Sequence, residues 1–151
     1  MENIFKKEIT EDVVSRLNRL NPDTAPLWGK MSVAQMIAHC NVAYELVYEE
    51  DKHKKPNPVM SFILRTFVKN MVVNKKPYKH NGPTSPAFII KGDKDFNAER
   101  INLISHLRKT QELGDAYFDN KKSHSFGVLS KTEWNNMFYK HLNHHLQQFN
   151  V

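Results

Sequence analysis

The stretch whose reading decides the fold is Ser130–Phe149, SKTEWNNMFYKHLNHHLQQF. Ser130 with Glu133 three residues later is a capping box: the hydroxyl accepts from a free backbone N–H of the first turn, and the carboxylate reaches back to the N–H of the cap. Beyond it Trp134, Met137, Phe138, His141, Leu142, His145, Leu146 and Phe149 recur at helical spacing, which predicts an amphipathic helix with one buried stripe. His141 and His145 belong to that stripe. Four residues apart, they stack one turn above the other on the same face.

Reading outward toward the N-terminus, Ser32 and Gln35 form a second capping box. It opens a helix over Val33 to Glu49 with Val33, Met36, Ile37, Cys40, Tyr44 and Val47 as its apolar stripe and His39 at its edge. Ahead of it, Ile9 to Leu20 reads as a short helix capped by Thr10, with Glu11 and Asp12 in the first turn and Asn21-Pro22 as its stop. A further bundle helix begins near Asp95 and is expected to end at Gly114, leaving 115–129 as a connection. Between these, Val59 to Val73 carries Met60, Ile63, Leu64, Phe67, Val68, Met71 and Val72 at helical spacing. Residues 75–86, with Pro77, Gly82, Pro83 and Pro86, read as an irregular loop. The expected fold is therefore all-α: an up-and-down four-helix bundle with an extra amphipathic segment between helices two and three. At 151 residues the chain, 1–151, suits one domain.

The formal charge of +6 is local. Residues 51–80 hold Lys52, Lys54, Lys55, Arg65, Lys69, Lys75, Lys76 and Lys79 against Asp51 alone, a local excess of seven, so the remainder nets −1. Aromatic residues in that segment are few and helically spaced, which argues against a nucleic-acid groove. No uncharged apolar run approaches the length that spans a bilayer, so no membrane partner is expected. One cysteine, Cys40, excludes an internal disulfide and a cysteine-only metal site. Met1 to Thr10 lacks the apolar core of a signal peptide, and the expected location is cytoplasmic. Spare apolar surface on the extra segment leaves a homodimer open.

Two imidazoles hold an ion weakly, and a third ligand is wanted. His53 and His80 lie in basic, proline-marked connections where exposure is expected. His106 lies off its helix's apolar stripe, whereas His39 sits in a mostly buried helix able to pack beside the last one. Three neutral imidazoles suit Zn²⁺, Ni²⁺, Fe²⁺ or Co²⁺. The competing reading is two core histidines hydrogen-bonded to backbone, or a pair on a helix surface. Against it, unpartnered imidazoles beside Phe138, Leu142 and Phe149 would be costly to bury. Cys40 points about 100° away from His39 and reads as core. His144 reads as exposed, and Trp28 and Trp134 as packing anchors. Glu45, Tyr44 and Asp119 stand at no spacing that marks a general base.

The segments WNNMFYKHLNHHLQQF (134–149), WGKMSVAQMIAHC (28–40) and FGVLSKTEW (126–134) resemble the DinB-like (DinB/YfiT) superfamily of four-helix bundles, in an uncharacterised bacterial branch. The resemblance implies a divalent metal held by His39, His141 and His145. Gln148, and with it His144, would lie just behind these ligands. It also implies metal-dependent hydrolysis, or transfer of a low-molecular-weight thiol, on a small-molecule substrate. A non-catalytic metal-binding or interaction protein on the same bundle is the alternative.

Overall fold

Both capping boxes form where the sequence places them, and each starts a long helix. The computed structural model describes residues 1–151. In it the Gln35 N–H donates to Ser32 Oγ and the Ser32 N–H donates to Gln35 Oε1, at 3.2 and 3.1 Å. Ser130 and Glu133 repeat the exchange. The helices are α1 (Lys7–Asn18), α2 (Val33–Tyr48), α3 (Pro58–Ile63), α4 (Lys69–Val73), α5 (Phe96–Phe118) and α6 (Lys131–Gln148). A π-helical turn, Leu64–Val68, joins α3 to α4. Strands β1 (Lys121–Ser123) and β2 (Gly127–Leu129) pair antiparallel, Lys121 opposite Leu129 and Ser123 opposite Gly127. The fold is mostly helical, with this one small hairpin.

Helix α2 packs along α5, α1 lies against α5 and α6, and α6 touches α1, α2, α4 and α5. Their facing stripes form one core, including Val13 and Leu17 of α1, Met36, Ile37, Cys40 and Tyr44 of α2, Leu103 and Leu107 of α5, and Phe138, Leu142 and Leu146 of α6. Each such side chain contributes roughly 1.5–3 kcal/mol by leaving water, which offsets the entropy of ordering the chain. No helix is long and apolar enough to cross a membrane.

Three sequence expectations are corrected. Thr10 does not cap α1, which begins at Lys7; its buried hydroxyl donates to the Ile4 carbonyl at 2.7 Å and ties the N-terminal residues to the helix. Gly114 breaks α5 with a left-handed φ of 71° but does not end it. One more turn follows and sinks Phe118 into the core, where it stacks on Phe5 and meets Trp134 and Phe138. The connection after Gly114 therefore carries a helical turn and the hairpin.

The segment α3–α4 is fastened to α6 by polar bonds. The Asn136 side chain donates to the Val73 carbonyl. Lys140 donates from its ammonium to the carbonyls of Met71 and Asn74 and to Asn74 Oδ1. No carboxylate pairs with Lys140, and burial pushes its pKa down to about 8. This holds α4 beside the part of α6 that leads into His141.

Candidate metal centre

His39 lies in α2, and His141 and His145 lie one turn apart in α6. The packing of α2 on α6 brings the three rings together, with centroids 4.6 to 4.9 Å apart. Each histidine offers one ring nitrogen to a group whose atoms all lie within 4.8 Å of one another. His39 and His145 are buried and His141 is half-buried.

The outer nitrogens determine which inner ones carry lone pairs. His39 donates its Nδ1–H to the carbonyl of Phe88, at 2.8 Å. His145 donates its Nδ1–H to Gln148 Oε1, also at 2.8 Å. Both rings are thereby held as the tautomer with a bare Nε2. His39 Nε2 faces His141 Nε2 at 2.8 Å, so a proton on His141 occupies the gap when no cation does. Gln148 is itself anchored: its amide N–H donates to the Trp28 carbonyl at 2.6 Å, and its backbone carbonyl accepts from the Leu27 N–H.

Burial keeps these rings neutral. Desolvation lowers the pKa of His39, with partial opposition from the Phe88 carbonyl. It lowers His141 further, with help from the neighbouring histidines. His145 falls to about 3 through burial and then the charge of His39, against the pull of Gln148. A buried cluster that rejects protons keeps its lone pairs available at neutral pH.

The donor set fits a divalent ion of intermediate softness: three imidazole nitrogens, with no competing ammonium among them. Two nitrogens sharing one ion through bonds of about 2.0–2.1 Å stand about 3–4 Å apart, and the observed spacing needs only small ring shifts to reach this. No carboxylate or thiolate joins the group. Cys40, next to His39, turns into the core against Met36, as its helical angle predicts.

The remaining histidines stand elsewhere. His144 is half-buried rather than exposed, edge-on to Trp28 and Tyr78 and 6.0 Å from His80. His80 is exposed but lies flat on Trp28 at 3.7 Å, so Trp28 is an anchor for a surface stack and Trp134 an anchor in the core. His53 is paired with Glu45 at 2.8 Å rather than free in solvent. His106 donates to the side chain of Asn41, at 3.1 Å.

Three participants escape sequence reasoning. Phe88 supplies the carbonyl for His39 and sets its ring edge-on to His39 and His141. The only sequence signal is a short apolar run, Ala87 to Ile90, in an otherwise proline-marked loop. Trp28 acts through its backbone, which no side chain announces. Gly29 has φ +84°, and a Cβ there would stand 2.6 Å from Gln148 Nε2, so a side chain would press on the amide that orients His145.

These features define a helical protein with a buried three-imidazole cluster held by backbone and amide carbonyls. The chain belongs to the family described as "Protein of unknown function (DUF1569)", whose profile matches residues 5–151 and so includes all three histidines and Gln148. Comparison with curated proteins and with solved structures returns no match.

Proposed function

We propose that this chain is a metal-dependent enzyme of the DinB-like kind. In this reading α1, α2, α5 and α6 are its up-and-down four-helix bundle, and His39, His141 and His145 hold one Zn²⁺, Ni²⁺, Fe²⁺ or Co²⁺ ion. The observation that carries the reading is the pair of Nδ1–H bonds, from His39 to Phe88 and from His145 to Gln148, which aim two Nε2 lone pairs into the cluster. Core histidines satisfy both nitrogens on protein groups, as His39 does; His145 Nε2 makes no such bond and its ring faces the other two.

With three protein ligands and no fourth in the group, a position is left for water or a substrate heteroatom. A divalent ion there supplies a lowered pKa for a bound water or thiol, giving a nucleophile near neutral pH. Gln148 and the Phe88 carbonyl keep the ligand tautomers, and the Phe88 ring stands edge-on to His39 and His141. The substrate is a small molecule, in a hydrolysis or a low-molecular-weight thiol transfer. The second reading is a metal-binding or interaction protein without turnover: no carboxylate stands in the cluster to serve as a general base.

The test is metal analysis of protein purified without added metal, beside His141→Ala and His145→Ala, followed by an assay panel of thiol acceptors, esters and amides. Bound metal lost in both variants, with turnover that stops on chelation, is the expected result. A parent that takes up neither Zn²⁺ nor Ni²⁺, or turnover that ignores chelation, overturns the enzyme reading.

A further inference from the structure

The segment from Pro58 to Val73 has two apolar rows. The inner one, Leu64, Val68 and Val72, is partly covered and leads to buried Val73 against α6. The outer one, Val59, Phe62, Ile63, Phe67 and Met71, follows i, i+3, i+4, i+8 and i+12 along the opposite side and is exposed throughout. Val59, Phe62 and Phe67 are 70%, 66% and 72% exposed. Isolated exposed apolar residues need no explanation, but a continuous row along one helical segment marks a surface that meets something.

The charge around the row indicates what it meets. Among the cations of residues 51–80, Lys52, Lys55 and Lys69 are neutralised by Glu45, Glu50 and Glu133. Lys54, Arg65, Lys75, Lys76 and Lys79 are exposed and have no carboxylate partner. A second copy of the same face would bring these like charges together. An anionic surface neutralises them, and a fluid one receives a convex helix without needing a groove of matching shape. Lying on a bilayer is physically distinct from crossing it: it needs a laterally amphipathic helix flanked by cations, not a long uncharged one.

We propose that residues 58–73 dock this protein on an anionic membrane surface. The outer row enters the boundary between headgroups and acyl chains, and Lys54, Arg65, Lys75, Lys76 and Lys79 contact lipid phosphates. The sequence expectation of no membrane contact followed from the lack of a spanning segment, which does not bear on this mode.

Flotation of the full chain with phosphatidylcholine vesicles, with and without roughly a third phosphatidylserine, tests the assignment. The chain is expected to float with the anionic vesicles only. Raised salt weakens the association, and Phe62→Ser/Phe67→Ser and Lys75→Glu/Lys76→Glu each weaken it about tenfold or more. Because the altered side chains are exposed, circular dichroism melting should match the parent in both variants. Failure to float, or flotation unchanged by the aromatic variant, overturns the proposal. So does binding to polyglutamate without binding to vesicles, or a dimer in sedimentation that the aromatic variant dissociates while vesicles stay empty.

Discussion

Helix α6 and the α3–α4 segment are both amphipathic by spacing and they touch each other, yet they meet different surroundings. Phe138 of α6 is fully buried among Tyr44, Phe118 and Trp134, whereas Phe67 faces solvent. The difference lies in the number of neighbours. Helix α6 is surrounded by α1, α2, α4 and α5, while α3–α4 leans on one side and is fixed there by polar bonds from Asn136 and Lys140. Periodicity reports that a helix has an apolar face; the topology decides whether that face is covered. Among its covered residues α6 carries two imidazoles, and the burial that penalises a charged histidine keeps these rings neutral.

The largest expected break in this comparison is at the three clustered histidines, on the proposal that they hold a metal ion. His145→Ala should reduce metal affinity by at least about a hundredfold, read by calorimetric titration, while leaving the vesicle association unchanged. Loss of both together would mean that the two regions are one unit.

Next comes the same substitution in both regions. Phe138→Ala should cost about 3–5 kcal/mol in urea unfolding, and Phe67→Ala less than about 0.5 kcal/mol. Comparable losses would show that the outer row is packed in solution.

Acid should act on the α6 side. In the metal-free protein His145 is neutral folded and unfolded above its ordinary pKa near 6.5. Below that the unfolded chain takes the proton first, because the folded ring titrates only at about 3. Stability should therefore fall as pH drops from 6.5 toward 3, at up to about 1.4 kcal/mol per pH unit from this group. A flat urea midpoint between pH 7.5 and 5 would contradict the burial of the neutral ring.

The smallest effect sharpens the outer bonds of the site. Gln148→Ala should weaken metal binding about ten- to a hundredfold without abolishing it. Gly29→Ala should shift it in the same direction through the contact with the Gln148 amide. Affinities equal to the parent would remove Gln148 from the site.

Much of this was legible from residues alone, for identifiable reasons. Ser32–Gln35 and Ser130–Glu133 mark helix starts because their side chains bond local backbone, so no distant contact has to be known. His141 and His145 share a face by helical geometry. His39 required a choice among the chain's histidines, and the packing of α2 on α6 brings that ring to the other two. What could not be read was carried by the backbone or by very short elements. The carbonyls of Phe88 and Trp28 have no side-chain signature. Lys121, Lys122 and Ser123 form a strand without an apolar alternation to announce it. Gly114 reads as a stop because glycine most readily takes the left-handed conformation that ends helices; it takes that conformation, but one turn beyond it Phe118 is buried and the helix resumes.

The carboxamide of Gln148 has only one orientation that serves both of its partners: its oxygen must face His145 and its nitrogen must face Trp28. Rotated half a turn, it would present N–H to the His145 N–H and oxygen to the Trp28 oxygen, two repulsions in place of two bonds. The order of the 22–30 loop and the protonation pattern of His145 are therefore recorded by a single dihedral angle. A disturbance at Leu27 or Gly29, well outside the imidazole triangle, reaches it as a turned amide.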